Sequence, residues 1–298
     1  MNRRLARGAI APRPRIHDTG RLATIIAIHV ALILLVAIVL YPVLLVCKKA
    51  FEPGRHFALS ASPIPDHLTT DHFKDLFGAR GGHGELLFLR HALNSLIVAL
   101  STTVVGVVLS CTAAYALSRF RFPGRHAGLT TFLVVQMFPA TLLLLPLYVI
   151  LDKLGLLNSL AGLVLVYSTT AIPFCVWTLK GYFDTLPREL EEAARIDGAS
   201  TWMIFRKIIL PLARPGLAVT ALFSFMTAWN EFIMASTFMT DESKYTLPVL
   251  IQSSVGQFSA DWGLFAAGAV VTSIPVMIAF YVLQKYLVGG LTAGAVKG

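Results

Sequence analysis

The chain has 298 residues, of which 56% are hydrophobic and only 14% are charged, with a mean hydropathy of +0.71. Soluble domains usually carry about 25% charged residues, so this composition excludes a water-soluble globule, a disordered chain and a nucleic-acid-coating protein. The net charge of +9 is therefore interpreted as the cationic loops of a membrane protein. The three cysteines lie inside apolar runs without metal-ligand spacing and are interpreted as small core residues.

Six apolar stretches are each long enough to cross a hydrocarbon core of about 30 Å as a helix. They lie at residues 24–47, 92–117, 128–151, 160–181, 215–239 and 264–287. The first is too long for the apolar region of a secretory signal, and no small-residue cleavage site follows it, so we interpret it as a membrane anchor. The sequence therefore predicts an all-α polytopic membrane protein with six transmembrane helices.

Lysine and arginine are divided unequally between two sets of loops. Of the 25, 17 fall in the N-terminal arm, two alternate loops and the tail, whereas 8 fall on the other side. Cationic loops stay in the cytoplasm, so both termini are predicted to be cytoplasmic. The predicted organisation is an Arg-rich arm at 1–23, a first transmembrane helix at 24–47, an extracytoplasmic loop at 48–91, a five-helix core at 92–287 and a tail at 288–298.

The extracytoplasmic loop contains one short amphipathic segment. Thr70 is predicted to cap a helix in which His72, Phe73, Leu76 and Phe77 fall on one face. We favour an interfacial helix that lies on the membrane, and a role in contacting substrate stays open.

Several kinds of chemistry are missing from the sequence. None of the nine lysines is followed by Ser or Thr, so there is no Walker A sequence and any dependence on ATP must come from a partner. There is no HExxH, no GxSxG and no closely spaced set of His and Cys. The sequence therefore predicts no catalytic residue, no metal site and no cofactor bound by this chain.

Two spans carry unusual residues that are candidates for a translocation path. The third contains Gln136, Pro139 and Pro146, and the prolines predict a bent helix that either moves as a gate or is a static kink. The fifth contains Asn230 and Glu231, and a carboxylate in lipid costs at least about 2.5 kcal/mol. Glu231 must therefore face protein or a wet cavity, and a hydrogen bond between helices and a path role are both open.

The cytoplasmic loop at 183–214 is longer than a simple connection requires. Thr185 and Pro187 predict the start of a helix, and Gly198 predicts its end at a positive φ. Ser200 or Thr201 begins a second helix that ends at Pro211 and has Trp202, Phe205 and Ile209 on one face. A DNA-binding helix-turn-helix has the same outline, but a loop tethered between two spans argues against nucleic acid, whereas a purely structural connector stays open.

The same loop resembles a known family. Glu192, Ala193 and Ala194, then Gly198, then Ile208, Ile209, Leu210 and Pro211, have the spacing of the EAA motif in permease subunits of bacterial ABC importers. HALNSLIVAL at 91–100, SRFRFPGR at 118–125 and KGYFDTLP at 180–187 resemble carbohydrate-importer permeases, and QMFPA at 136–140 and GLTAGAVKG at 290–298 resemble those for maltose and maltodextrin.

The resemblance implies a type I ABC importer permease fold in a bacterial inner membrane. It implies a second permease, a homodimeric cytoplasmic ATPase that binds ATP and Mg, an extracytoplasmic sugar-binding protein, and surrounding membrane lipid. It also implies that sugar contacts lie mainly on the second permease. The residues expected at the joint with the ATPase are Glu191, Glu192, Ala193, Ala194, Asp197, Gly198, Ile208, Leu210 and Pro211.

Two alternatives remain. An ABC permease for a solute other than sugar is the nearer one. An ion-coupled secondary carrier is the other, and the near absence of charge within the spans disfavours it.

Overall fold

The computed structural model describes residues 18–56, 62–82, 84–256 and 260–295. Most of the predicted Arg-rich arm at 1–23, and the last three residues of the predicted tail, therefore lie outside the described residues. The helices are α1 Asp18–Phe51, α2 Asp71–Gly78, α3 Leu87–Arg119, α4 Arg125–Met137, α5 Leu144–Lys153, α6 Leu160–Thr185, α7 Glu189–Ile196, α8 Thr201–Ile204, α9 Leu210–Leu212, α10 Arg214–Trp229, α11 Ile233–Phe238, α12 Leu247–Ser253 and α13 Trp262–Ala295. In the described residues there is no β-strand, so the all-α prediction is confirmed.

The described helices include four to six candidate spans, against six predicted. Four helices, α1, α3, α6 and α13, are long and apolar enough to cross a membrane singly. Two bent helix pairs pass the same test together: 125–137 meets 140–153 at 97°, and 201–212 meets 214–229 at 77°. Counting each pair as one span gives the upper limit of six, and the first part of the second pair, 201–212, lies in the predicted cytoplasmic loop.

The third span differs from the predicted bent helix because it is two separate helices. Phe138 is extended at φ −73° and ψ 129°, and a 3₁₀ turn, Ala140–Leu143, follows Pro139. A proline disfavours the α conformation in the residue before it and cannot donate a backbone hydrogen bond. Pro146 lies in the first turn of α5, where its missing N–H has no helical acceptor to lose.

The fifth span was predicted too long. It was placed at 215–239, but α10 ends at Trp229 and the helix is interrupted before α11 begins at Ile233. Apolar residues resume at Phe232, so hydropathy averaged over a span-length window does not detect the interruption.

The core of the bundle is α3, packed mainly against α6 and α10. Gly106 allows a close approach of α3 to α10, because a Cβ there would lie 2.8 Å from Ser224 Oγ. Helix α1 packs against α13, and its most apolar window is wholly exposed in the isolated chain. In a bilayer that surface is available to lipid.

The short helix in the predicted extracytoplasmic loop is present, and Thr70 is at its N-cap position, but the predicted capping bond is absent. Thr70 makes no side-chain capping bond, whereas Thr69 Oγ1 accepts a hydrogen bond of 3.1 Å from the backbone N–H of Asp71. His72 is buried and its ring packs on Gly263 of α13. Helix α2 therefore packs against the bundle, and its position at the membrane interface stays a prediction.

Candidate functional site

The loop at 183–214 forms a helix, a tight turn and a second helix. Gly198 ends α7 with φ +81°, as predicted, and Ala199 N–H donates 2.9 Å to the carbonyl of Ala194. Ser200 Oγ accepts a bond of 3.3 Å from Met203 N–H, so the predicted cap of the second helix is confirmed. These local bonds hold the two helices at a defined angle.

Both outer boundaries of this motif were predicted imperfectly. Thr185 is the last residue of α6 and its hydroxyl donates to the carbonyl of Tyr182, so it does not cap α7, which begins at Glu189. The second helix passes Pro211 and ends at Leu212, after a π-helical turn, Phe205–Ile209. Proline has no N–H, and this wider turn directly precedes Leu210 and the proline.

One face of the second helix anchors the loop in the bundle. Ile204, Phe205 and Ile209 are buried, and the ring of Phe205 lies 4.8 Å from that of Tyr115 on α3. Trp202 was predicted on the same face but is 65% exposed. The loop is thus seated on α3 and α6 by apolar packing.

Beneath α7 lies a buried group of charges. Glu191 is 2% exposed, and its carboxylate accepts hydrogen bonds from Arg119 Nε and from the hydroxyl of Tyr115, the latter at 3.1 Å. Beside it, Ser118 donates a bond of 2.6 Å to Asp184. Glu191 was expected at the ATPase joint, yet its side chain points into this subunit.

The opposite face of the motif is open. Eight of the nine residues expected at the joint are at least partly accessible. The exposed ones are Glu192, Ala193, Asp197, Gly198 and Pro211. The half-buried ones are Ala194, Ile208 and Leu210. Sequence reasoning missed Ile196, which is 87% exposed at the tip of the motif, and the exposed side chains of Leu190 and Met203. The available signal was a large apolar residue directly before an Asp-Gly turn. These side chains leave apolar surface uncovered beside the residues expected at the joint.

The path candidates divide between the two helix breaks. Gln136 and Pro139 are exposed beside the break after α4. Asn230 is exposed and Glu231 is half-buried at the break after α10.

The carboxylate of Glu231 is bonded within the chain. It accepts hydrogen bonds from the backbone N–H of Met234 at 2.8 Å and of Ala235 at 3.0 Å, so it caps α11. It also accepts a bond of 2.7 Å from the hydroxyl of Tyr167 on α6. This is the hydrogen bond between helices that the sequence left open beside a path role.

The far end of α3 holds a second set of residues that sequence reasoning did not assign. His91 Nε2 lies 2.8 Å from the carbonyl oxygen of Glu242. Asn94 Nδ2 donates to the carbonyls of Ser243 and Tyr245 at 3.0 and 2.9 Å. The adjacent Ser95 Oγ accepts a hydrogen bond of 2.7 Å from the backbone N–H of Leu247. The HALNS part of the sequence motif therefore fixes the segment 242–247.

The same segment carries an electrostatic signature. Hydrogen bonds from Ser243 to the carboxylate of Asp241 lower the pKa of that group below its ordinary value. Within the described part of the chain, no group of three His, Cys, Asp or Glu side chains could hold a metal ion.

Four single spans and two bent helix pairs, the second of which begins with the second helix of the 183–214 motif, have the architecture of a type I ABC importer permease. The bundle superposes on a chain of a bacterial ABC transporter that imports the acidic polysaccharide alginate, with a TM-score of 0.71, 24% identity, and coverage of 93% of this chain and 99% of that one. It also superposes on a chain of the MetNI methionine ABC transporter, with a TM-score of 0.57, 20% identity, and coverage of 68% and 95%.

Residues 87–292 match the family described as binding-protein-dependent transport system inner membrane component, and the chain belongs to that family. It is 41% identical to the galactooligosaccharides transport system permease protein GanQ of Bacillus subtilis, over 91% of this chain and 94% of that protein. It is 38% identical to the maltodextrin permease MdxG of the same organism, over 94% and 99%. It is 40% identical to the maltose/maltodextrin permease MalG of Escherichia coli K12, over 91% and 95%.

Proposed function

We propose that this chain is one of two permease subunits of an ATP-driven importer that carries maltose, maltodextrin or a related oligosaccharide into the bacterial cytoplasm. The relatives named for maltodextrin and galactooligosaccharides, which match almost end to end, support the substrate class. A second solved structure similar in fold, with a TM-score of 0.66, 17% identity and coverage of 89% of this chain and 94% of that one, is an alginate transporter in complex with a periplasmic protein. That complex supports an extracytoplasmic sugar-binding partner here.

The energy source in this proposal is a separate ATPase. The chain has no Walker A sequence, so ATP and Mg would be bound by a homodimeric cytoplasmic partner. The observation that carries the proposal is the exposed tip of the 183–214 motif, where Ile196 and Met203 present apolar surface beside the EAA residues. A short rigid helix with an apolar tip suits insertion into a cleft of that partner.

The location follows from the same argument. The excess of lysine and arginine places the motif and both termini in the cytoplasm, with the segment 242–247 outside. The chain would then sit in the inner membrane with the 183–214 motif and the segment 242–247 on opposite sides.

A carrier driven by an ion gradient is the alternative from another class. Such carriers keep free ionisable groups at mid-membrane, whereas Glu231 here is occupied by three hydrogen bonds of its own chain.

The test is reconstitution of the chain with an ATPase, a second permease and a sugar-binding protein from the same organism. We expect maltotriose to stimulate ATP hydrolysis and to enter the vesicles only when ATP is present. Uptake that proceeds without ATP and is abolished by a protonophore would overturn the proposal, and stimulation by an amino acid but by no oligosaccharide would overturn the substrate class.

A further inference from the structure

The buried pair Arg119 and Glu191 joins two elements that the chain connects only indirectly. Arg119 is the last residue of α3 and Glu191 lies in the first turn of α7. Their side chains are 5% and 3% exposed. In sequence, α7 follows α6 after residues 186–188, whereas α3 ends at Arg119, far earlier in the chain. No short connection of the backbone therefore joins α7 to α3.

The surroundings of this pair satisfy both charges. Arg119 Nη2 donates a hydrogen bond of 3.1 Å to the carbonyl oxygen of Leu186, and its Nη1 donates one of 3.2 Å to Ser118 Oγ. The second oxygen of Glu191 is taken by the hydroxyl of Tyr115. A buried ion pair with every polar group bonded is directional, and removing one partner leaves an uncompensated charge.

We propose that Arg119 and Glu191 are positioning residues that clamp α7 to the end of α3, so that a force applied to α7 moves α3. The inference rests on the proposed function and assigns a route to its coupling step. Helix α3 suits that route because it is the central helix of the bundle and extends about 50 Å at 1.5 Å per residue. Its other end carries His91 and Asn94, which hold the segment 242–247.

An alternative is that the pair only stabilises the fold. A double variant, Arg119→Met with Glu191→Met, separates the two roles, because it fills the space and removes both charges but has no directional bond. If the pair positions α7, the double variant is inserted and binds the ATPase at wild-type levels, while sugar uptake per ATP hydrolysed falls at least about tenfold, the fold-change that corresponds to losing one hydrogen bond to a charged group. Wild-type coupling in this variant would overturn the clamp.

Two further variants keep the test decisive if the double variant is poorly inserted. Tyr115→Phe removes one bond of 3.1 Å and leaves the pair, so we expect wild-type insertion with a coupling ratio reduced about threefold. An unchanged ratio would contradict the clamp. Lys74→Gln is the matched control, since Lys74 and Asp71 form an exposed ion pair outside the motif, and it should be silent.

The experiment also distinguishes this inference from the function beneath it. The reconstituted wild-type complex is measured first, by ATPase co-purification and by maltotriose-stimulated hydrolysis. Failure of the wild type in both assays overturns the proposed function, whereas a working wild type with a fully coupled double variant overturns the clamp alone.

Discussion

Tyr167 on α6 donates a hydrogen bond of 2.7 Å to the same carboxylate of Glu231 that caps α11. The Glu231 side chain thereby links the interruption after α10 both to the start of α11 and to α6. The cost of a carboxylate within a span is offset because three donors surround it.

Glu231→Ala is expected to lower the free energy of unfolding by about 2 kcal/mol, because it leaves two backbone donors and one hydroxyl without their acceptor. Glu231→Gln should be intermediate, since the amide oxygen still accepts. Thermal unfolding in detergent checks this, with Tyr167→Phe as the control that loses a single bond. Unchanged stability together with lost uptake would show instead that the carboxylate contacts the transported solute.

Gly198→Val is expected to weaken ATPase co-purification while leaving the spans inserted. A Cβ at this position meets no atom within 4 Å, so the effect comes from the backbone at φ +81° and should cost about 1 to 2 kcal/mol. Gly198→Asn is the matched control, because asparagine tolerates this conformation. Equal loss of attachment in both variants would show that the small size of glycine matters rather than its conformation.

The local parts of this loop could be predicted because they depend on neighbours in sequence. The positive φ of Gly198 and the capping hydroxyl of Ser200 are properties of a four-residue turn. The inward orientation of Glu191 could not, because its partner Arg119 lies 72 residues earlier. An acidic residue in the first turn of a helix is compatible with either a solvent-facing or a buried position.

The spans show the same division. The predicted number, six, followed from the length of apolar run that a bilayer requires, and it is the upper limit of what the helices allow. The end of α10 at Trp229 could not be predicted from hydropathy because the apolar residues Phe232 and Ile233 follow it closely. The carboxylate of Glu231, which caps the next helix, is held by Tyr167 on another helix, and that contact is not visible in the local sequence. Likewise, the role of Asn94 depends on carbonyls about 150 positions away.

Asn94→Ala is expected to reduce stimulation of ATP hydrolysis by the binding protein while leaving ATPase attachment intact. The amide donates to two carbonyls of the segment 242–247, and losing both bonds should free that segment to move. Thr103→Val is a suitable control, because Thr103 bonds only within α3. Full stimulation in the Asn94 variant would show that the segment plays no part in receiving the binding protein.

The predicted orientation can be measured by labelling single cysteines in a background without Cys47, Cys111 and Cys175. Cysteine at the exposed position 253 should react with an impermeant reagent added outside intact cells, whereas cysteine at the exposed position 195 should react only after lysis. The 17 basic residues on one side and 8 on the other are the reason for this expectation. The opposite labelling pattern would invert the topology.

The central claim, that the tip of the 183–214 motif enters the ATPase, is tested most directly by a photo-crosslinking amino acid at Ile196 in the reconstituted complex. Ile196 is 87% exposed, and Ile64, which is 72% exposed in the predicted extracytoplasmic loop, is the control position. We predict that the probe at 196 crosslinks to the ATPase and that the probe at 64 does not. Crosslinks from 196 to lipid alone, in a complex that hydrolyses ATP in response to maltotriose, would contradict the account.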